Sequence, residues 1–161
     1  MSLQLALPVL VAILLLAACA ITFPELRSWP IARWRLVLPP LLIAAATLVV
    51  LYLPPSNDLR EPAVWMVGLV AAVLGMVRGG LIGLQVDQRS GRLLLGRAPE
   101  GFLIVAVAAV LGLAEHIVGP LGRFGSSGHA AELALVILSS LLTGRNAALV
   151  IRSSDIPHQD L

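Results

Sequence analysis

The side chains in this chain best suited to chemistry cluster in its last third. Glu115-His116 is followed, across a short segment of glycine, serine and proline, by His129-Ala130-Ala131-Glu132. Imidazole and carboxylate together form a ligand set for a divalent transition metal, and the same groups relay protons. His129 and Glu132 are three residues apart, so a helix places both on one face. The alternative reading is four polar side chains at a water interface, with Arg123 neutralising one of the acids. A haem held by both histidines fits less well, because His116 and His129 would stand at helix ends and not face each other across a core.

Other reaction chemistry is hard to assemble. No glycine-rich phosphate cradle follows a strand, and no serine, histidine and aspartate fall in a plausible cleft. Asp87 and Glu100 are the two loop carboxylates that could act together, yet each reads as a turn or helix-start residue, where an acid is favourable. Cys19 is the single cysteine, which excludes an internal disulfide and a two-thiol relay within the chain. No loop is rich enough in tryptophan to hold haem. The expectation is a protein that is not an enzyme and carries no cofactor.

Composition says what must position these groups. Of 161 residues, 58% are hydrophobic and only 12% charged, with a mean hydropathy of +0.95. A soluble domain carries about 25% charged residues, so a soluble enzyme, a disordered tail and a nucleic-acid-binding module are excluded. A helix needs about 20 mostly apolar residues to cross the hydrocarbon core. Five segments meet this, at 3–23, 36–53, 63–84, 101–119 and 130–151, in a single integral membrane domain covering 1–161. Pro39-Pro40 should kink the second span or delay its entry, and Pro54-Pro55 should end it.

All 11 basic residues are arginine. One side of the membrane receives Arg27, Arg33, Arg35, Arg78, Arg89, Arg92, Arg97, Arg145 and Arg152, and the other only Arg60 and Arg123. The positive-inside rule then sets the amino terminus outside and the carboxyl terminus in the cytoplasm of a bacterial inner membrane. Trp29 and Trp34 among the first-loop arginines suit the headgroup level, and the basic side suits anionic lipid. Leu16-Ala17-Ala18-Cys19 has the form of a bacterial lipobox, but Met1-Ser2-Leu3-Gln4 lacks the basic side chain of a signal peptide. Cleavage there would also put the arginine-rich loops outside.

Within the third span, Ala71, Gly75, Gly79 and Gly83 recur every four residues and share one helix face. In lipid, association depends on such close packing, because the tails are as apolar as leucine. The expected partner is either the fourth span, through Ala108 and Gly112, or a second copy of the chain. Arg78 in the same span is an intramembrane charge: either a functional group, or an arginine that snorkels to the interface or pairs locally. The next stretch, 84–97, centres on Ser90-Gly91 between short valine- and leucine-bearing segments and predicts a β-hairpin on the cytoplasmic side, with Gly91 at positive φ.

Met76-Val77-Arg78-Gly79-Gly80, Val86-Asp87, Ser90-Gly91-Arg92-Leu93 and Ala98-Pro99 leading into a further span together resemble the core of the CcdC-like membrane proteins, over residues 66–118. The pattern departs at Glu115-His116, where another basic residue would be expected. The resemblance implies a small multi-span protein associated with cytochrome c biogenesis, an accessory to assembly. The sequence thus predicts an all-α bundle of five membrane helices with a short cytoplasmic hairpin between the third and fourth. Its partners would be lipid and other membrane subunits or itself, with no nucleic acid. The leading expectation is a non-enzymatic assembly subunit; the alternative is a small transporter or proton/metal-handling protein using Glu115, His116, His129 and Glu132.

Overall fold

A computed structural model of the chain describes residues 3–27, 29–52, 62–87, 92–96, 99–118 and 128–155. It contains five helices: α1 (Leu3–Leu26), α2 (Trp34–Tyr52), α3 (Pro62–Leu81), α4 (Glu100–Val118) and α5 (Gly128–Asp155). Within the described residues α1, α2, α3 and α5 are each long and apolar enough to cross a membrane, while α4 contributes a shorter apolar stretch, Glu100–Ala114. The fold is a multi-pass membrane bundle. Successive helices alternate in direction, so the ends of α1, α3 and α5 and the starts of α2 and α4 meet at one end.

That end carries the hairpin. Strands β1 (Leu84–Val86) and β2 (Leu93–Leu95) pair antiparallel, with Leu84 opposite Leu95 and Val86 opposite Leu93. The Ser90-Gly91 turn lies outside the described residues. The hairpin is not a free flap. Ile31, in the connection between α1 and α2, exchanges both backbone hydrogen bonds with Leu93 at 2.8 Å. Leu84, Val86, Leu93 and Leu95 alternate inward and bury against Ile31, Leu36, Ile82 and Leu149, forming a second small core beneath the hairpin.

The first core lies within a four-helix unit of α1, α2, α4 and α5, and is built from Val11, Leu15 and Ala18, Ile43, Ala46 and Val50, Val105, Ala108 and Ala109, and Leu135 and Leu142. Helix α3 stands outside this unit and packs almost wholly on α5. Several boundaries differ from expectation, the first helix among them, which runs on to Leu26. The third helix stops at Leu81 instead of 84, because the chain must extend to enter β1. The fifth runs on to Asp155. Helix α2 starts at Trp34 and continues through Pro39 and Pro40, so the entry is early, not delayed. Proline has no N–H to give, so Pro40 leaves the Leu36 carbonyl without its helical donor. The Asn146 side chain donates there from α5, at 2.7 Å.

Within the chain, the small-residue face of α3 packs on α5, running parallel, and not on the fourth span. A Cβ on Gly75 would overlap the Leu141 carbonyl oxygen and lie 2.9 Å from the Arg145 nitrogen. A Cβ on Gly79 would overlap the Arg145 carbonyl oxygen and come within 2.9 Å of Ala148 Cβ. From the other side, Gly144 of α5 sits against the Ala72 carbonyl. Ala71 is buried on this face. Gly83 does not belong to it: it is exposed, beyond the helix end, and its carbonyl accepts the Gly96 N–H at 2.8 Å to close the hairpin. Gly112 of α4 instead receives Leu15 of α1.

Because both partners remain in lipid when separated, lost contacts between α3 and α5 are not offset by burial elsewhere. Gly79→Leu should therefore cost about 3 kcal/mol or more, the upper range for overpacking against backbone. The purified variant should unfold at clearly lower temperature or denaturant than wild type. Val67→Leu, on the exposed side of α3, is the size control and should leave the midpoint unchanged.

Candidate functional site

Polar groups in a bilayer must satisfy one another, and the main polar constellation among the described residues lies about one turn inside the hairpin end. Its centre is Arg145 of α5, fully buried (0% exposed). Its Nη2 donates to Glu25 Oε2, near the end of α1, at 3.0 Å. Its Nη1 donates to Asn146 Oδ1 at 2.8 Å, and Asn146 Nδ2 continues to the Leu36 carbonyl of α2. Glu25 is itself 4% exposed. Arg145 Nε has no hydrogen-bond partner among the described residues.

Two further helices close the arrangement. Gly101, at the start of α4, lies against the ion pair: a Cβ there would overlap Glu25 Oε2 and come 2.7 Å from Arg145 Nη1. Gly75 and Gly79 of α3 lie on the Arg145 backbone. All five helices thus touch Arg145 or its direct partners. Phe23 of α1 and Phe102 of α4 pack edge to face beside the pair, with centroids 6.0 Å apart.

A ring of weaker contacts surrounds this centre. Arg78 pairs with Glu100 in the first turn of α4, its own side chain more than half exposed. The Arg78 charge therefore has a local partner at the bundle edge. Arg152 Nη1 donates to the Gly79 and Ile82 carbonyls at 3.0 and 2.7 Å, capping the C-terminal end of α3. Arg33 donates to the Ser153 carbonyl near the end of α5 at 3.2 Å. These bonds take up the orphan carbonyls that every helix C-terminus leaves. Arg27 lies over the rings of Phe23 and Trp29, and Arg35 over Trp34, at centroid distances of 5.3–5.5 Å. Such aromatic and arginine pairs suit a membrane–water boundary.

The sequence-derived metal cluster is only partly visible. Glu115 and His116 fall in the last turn of α4 and His129 in the first turn of α5, but the side chains of these three lie outside the described residues. Glu132 is buried in α5. Among the described residues no three histidine, cysteine or carboxylate side chains are grouped to hold a metal. Sequence reasoning missed Glu25, Asn146 and Gly101, and counted Arg145 only as a topological charge. The available signal was Arg145-Asn146 inside an otherwise apolar span, a costly placement that demands a partner. Nothing local names that partner, which is 120 residues away.

Chemically, the arrangement holds charge in place. The forked guanidinium donors fix both Glu25 and Asn146. No known protein family, characterised protein or solved structure matches the chain.

Removing one partner of a buried pair strands the other charge, typically at about 3–5 kcal/mol, whereas replacing both with apolar side chains is often near neutral. Glu25→Leu and Arg145→Met should each sharply reduce the yield and unfolding midpoint of the detergent-solubilised protein. The double variant should recover above either single. Additive losses in this cycle would mean that the two side chains do not act as a pair.

Proposed function

We propose that this chain is a non-enzymatic accessory or assembly subunit of a larger complex in a bacterial inner membrane. The observation that carries this reading is the position of α3. It is clamped to the bundle along one glycine-bearing face through α5 and leaves the opposite face, Met66, Val70, Val73 and Val77, uncovered and apolar. A clamped helix with a free side face can dock against another membrane helix while the rest of the bundle stays fixed. The CcdC-like pattern of residues 66–118 makes cytochrome biogenesis the first assembly to search.

The test is affinity purification of the full chain in mild detergent, beside a variant with Val70, Val73 and Val77 all changed to alanine. A membrane partner recovered in fixed proportion with the wild type should fall about tenfold with the variant, whose own unfolding midpoint stays near wild type. Absence of any stoichiometric partner, or equal recovery with both proteins, overturns the proposal.

We further place the hairpin end in the cytoplasm, with Arg27, Arg35, Trp29 and Trp34 at the headgroups. The support is the excess of arginine at that end, although several of these arginines also cap helices or pair internally. A reporter enzyme inserted at residue 90 should be active in its cytoplasmic form. Periplasmic activity at that position would invert the orientation.

A further inference from the structure

Helices α2 and α3 both pack on α5 but hardly on each other, which leaves a crevice between them. It encloses about 390 Å³, within the range of small-molecule sites. Its floor is Thr47 and Leu51 of α2, Gly68 of α3, and Val136 and Ser139 of α5, all buried. Its rim is Leu48, Trp65 and Leu69, each about half exposed or more, so it opens sideways into the hydrocarbon.

One group in the floor behaves unlike its equivalents. A threonine hydroxyl in an apolar helix ordinarily bonds the carbonyl one turn back. Thr22 and Thr143 do so, at 2.9 and 2.7 Å. Thr47 is 5% exposed, and its Oγ1 has no hydrogen-bond partner among the described residues. The nearby Ser139 hydroxyl already donates to Val136. A buried hydroxyl without a partner is costly, and one lining a crevice has a donor to offer whatever enters.

We propose that this crevice binds a membrane-soluble quinone-type molecule, a flat carbonyl-bearing ring on a long apolar tail, with a ring carbonyl accepting the Thr47 hydroxyl proton. Depth argues against an ordinary phospholipid. Thr47 lies five residues before the end of α2 and Gly68 six after the start of α3, or about 8–9 Å into the bundle at 1.5 Å per residue. Ester carbonyls are tethered by their headgroups near the boundary, whereas a quinone ring has no such tether. The small side chains of Ala44, Gly68 and Ala72 leave room for a flat ring, and Trp65 at the rim supplies an aromatic surface for it.

The test uses full-length protein in phosphatidylcholine nanodiscs, with Trp29→Phe and Trp34→Phe leaving Trp65 as the sole tryptophan. Titration with decylubiquinone should quench Trp65 fluorescence saturably. Decylbenzene, which has an apolar tail but no carbonyl, should not compete. Thr47→Val should raise the half-saturation point about fivefold, the value of one neutral hydrogen bond, and Ala44→Phe should remove the saturable phase by filling the slot. Quenching that rises linearly and identically in all proteins would mean that the quinone is merely dissolved in the bilayer. Equal competition by decylbenzene would mean that the crevice accepts any apolar chain. Either result overturns the proposal, and the decylbenzene arm needs no variant in the crevice.

Discussion

A guanidinium buried among apolar helices is the constraint on which this bundle depends. Arg145 is a fully buried cation, so its placement is tolerable only where the fold supplies acceptors. Glu25 provides the countercharge, Asn146 the neutral acceptor, and the glycines of α3 and α4 the space. The requirement fixes relative helix positions more sharply than apolar packing can. Leucine and valine faces slide past one another at little cost in lipid, whereas a 3.0 Å ion pair does not. The bundle gains register from a group that is individually unfavourable.

Proline and arginine have linked roles at the hairpin end. Pro40 frees a carbonyl in α2, and that carbonyl is where the Arg145–Asn146 chain ends. At the proline pair, expected to kink the helix or delay its entry, the freed carbonyl becomes an anchor point, because a polar side chain on a neighbouring helix replaces the missing donor. The ends of α3 and α5 are handled in the same way by Arg152 and Arg33. Arginines counted for orientation therefore also complete helix ends. One residue type serves both ends because a cationic fork at the membrane surface is attracted to anionic lipid and to bare carbonyls alike.

The attachment of α3 has a geometric consequence. Glycines on both helices bring its backbone against that of α5. Held against α5, α3 hardly meets α2, and the crevice around Thr47 lies between them. Close packing on one side of α3 thus sits beside an opening on another.

By itself the sequence determined the class of protein, the number of helices and the place of the hairpin. These rest on local quantities: apolar run length against bilayer thickness, glycine and proline as breaks, and two short leucine- and valine-bearing segments around a turn. It also marked the four-residue spacing that puts Ala71, Gly75 and Gly79 on one face, since helical period is a local property. Tertiary structure alone decided which helix that face meets, that Gly83 is excluded from it, and that Ile31 pairs with Leu93. It alone joined Glu25 to Arg145. In lipid all apolar faces are nearly equivalent as partners, so helix pairing carries little trace in any one segment and is settled by the few polar and small side chains that must find each other across the fold.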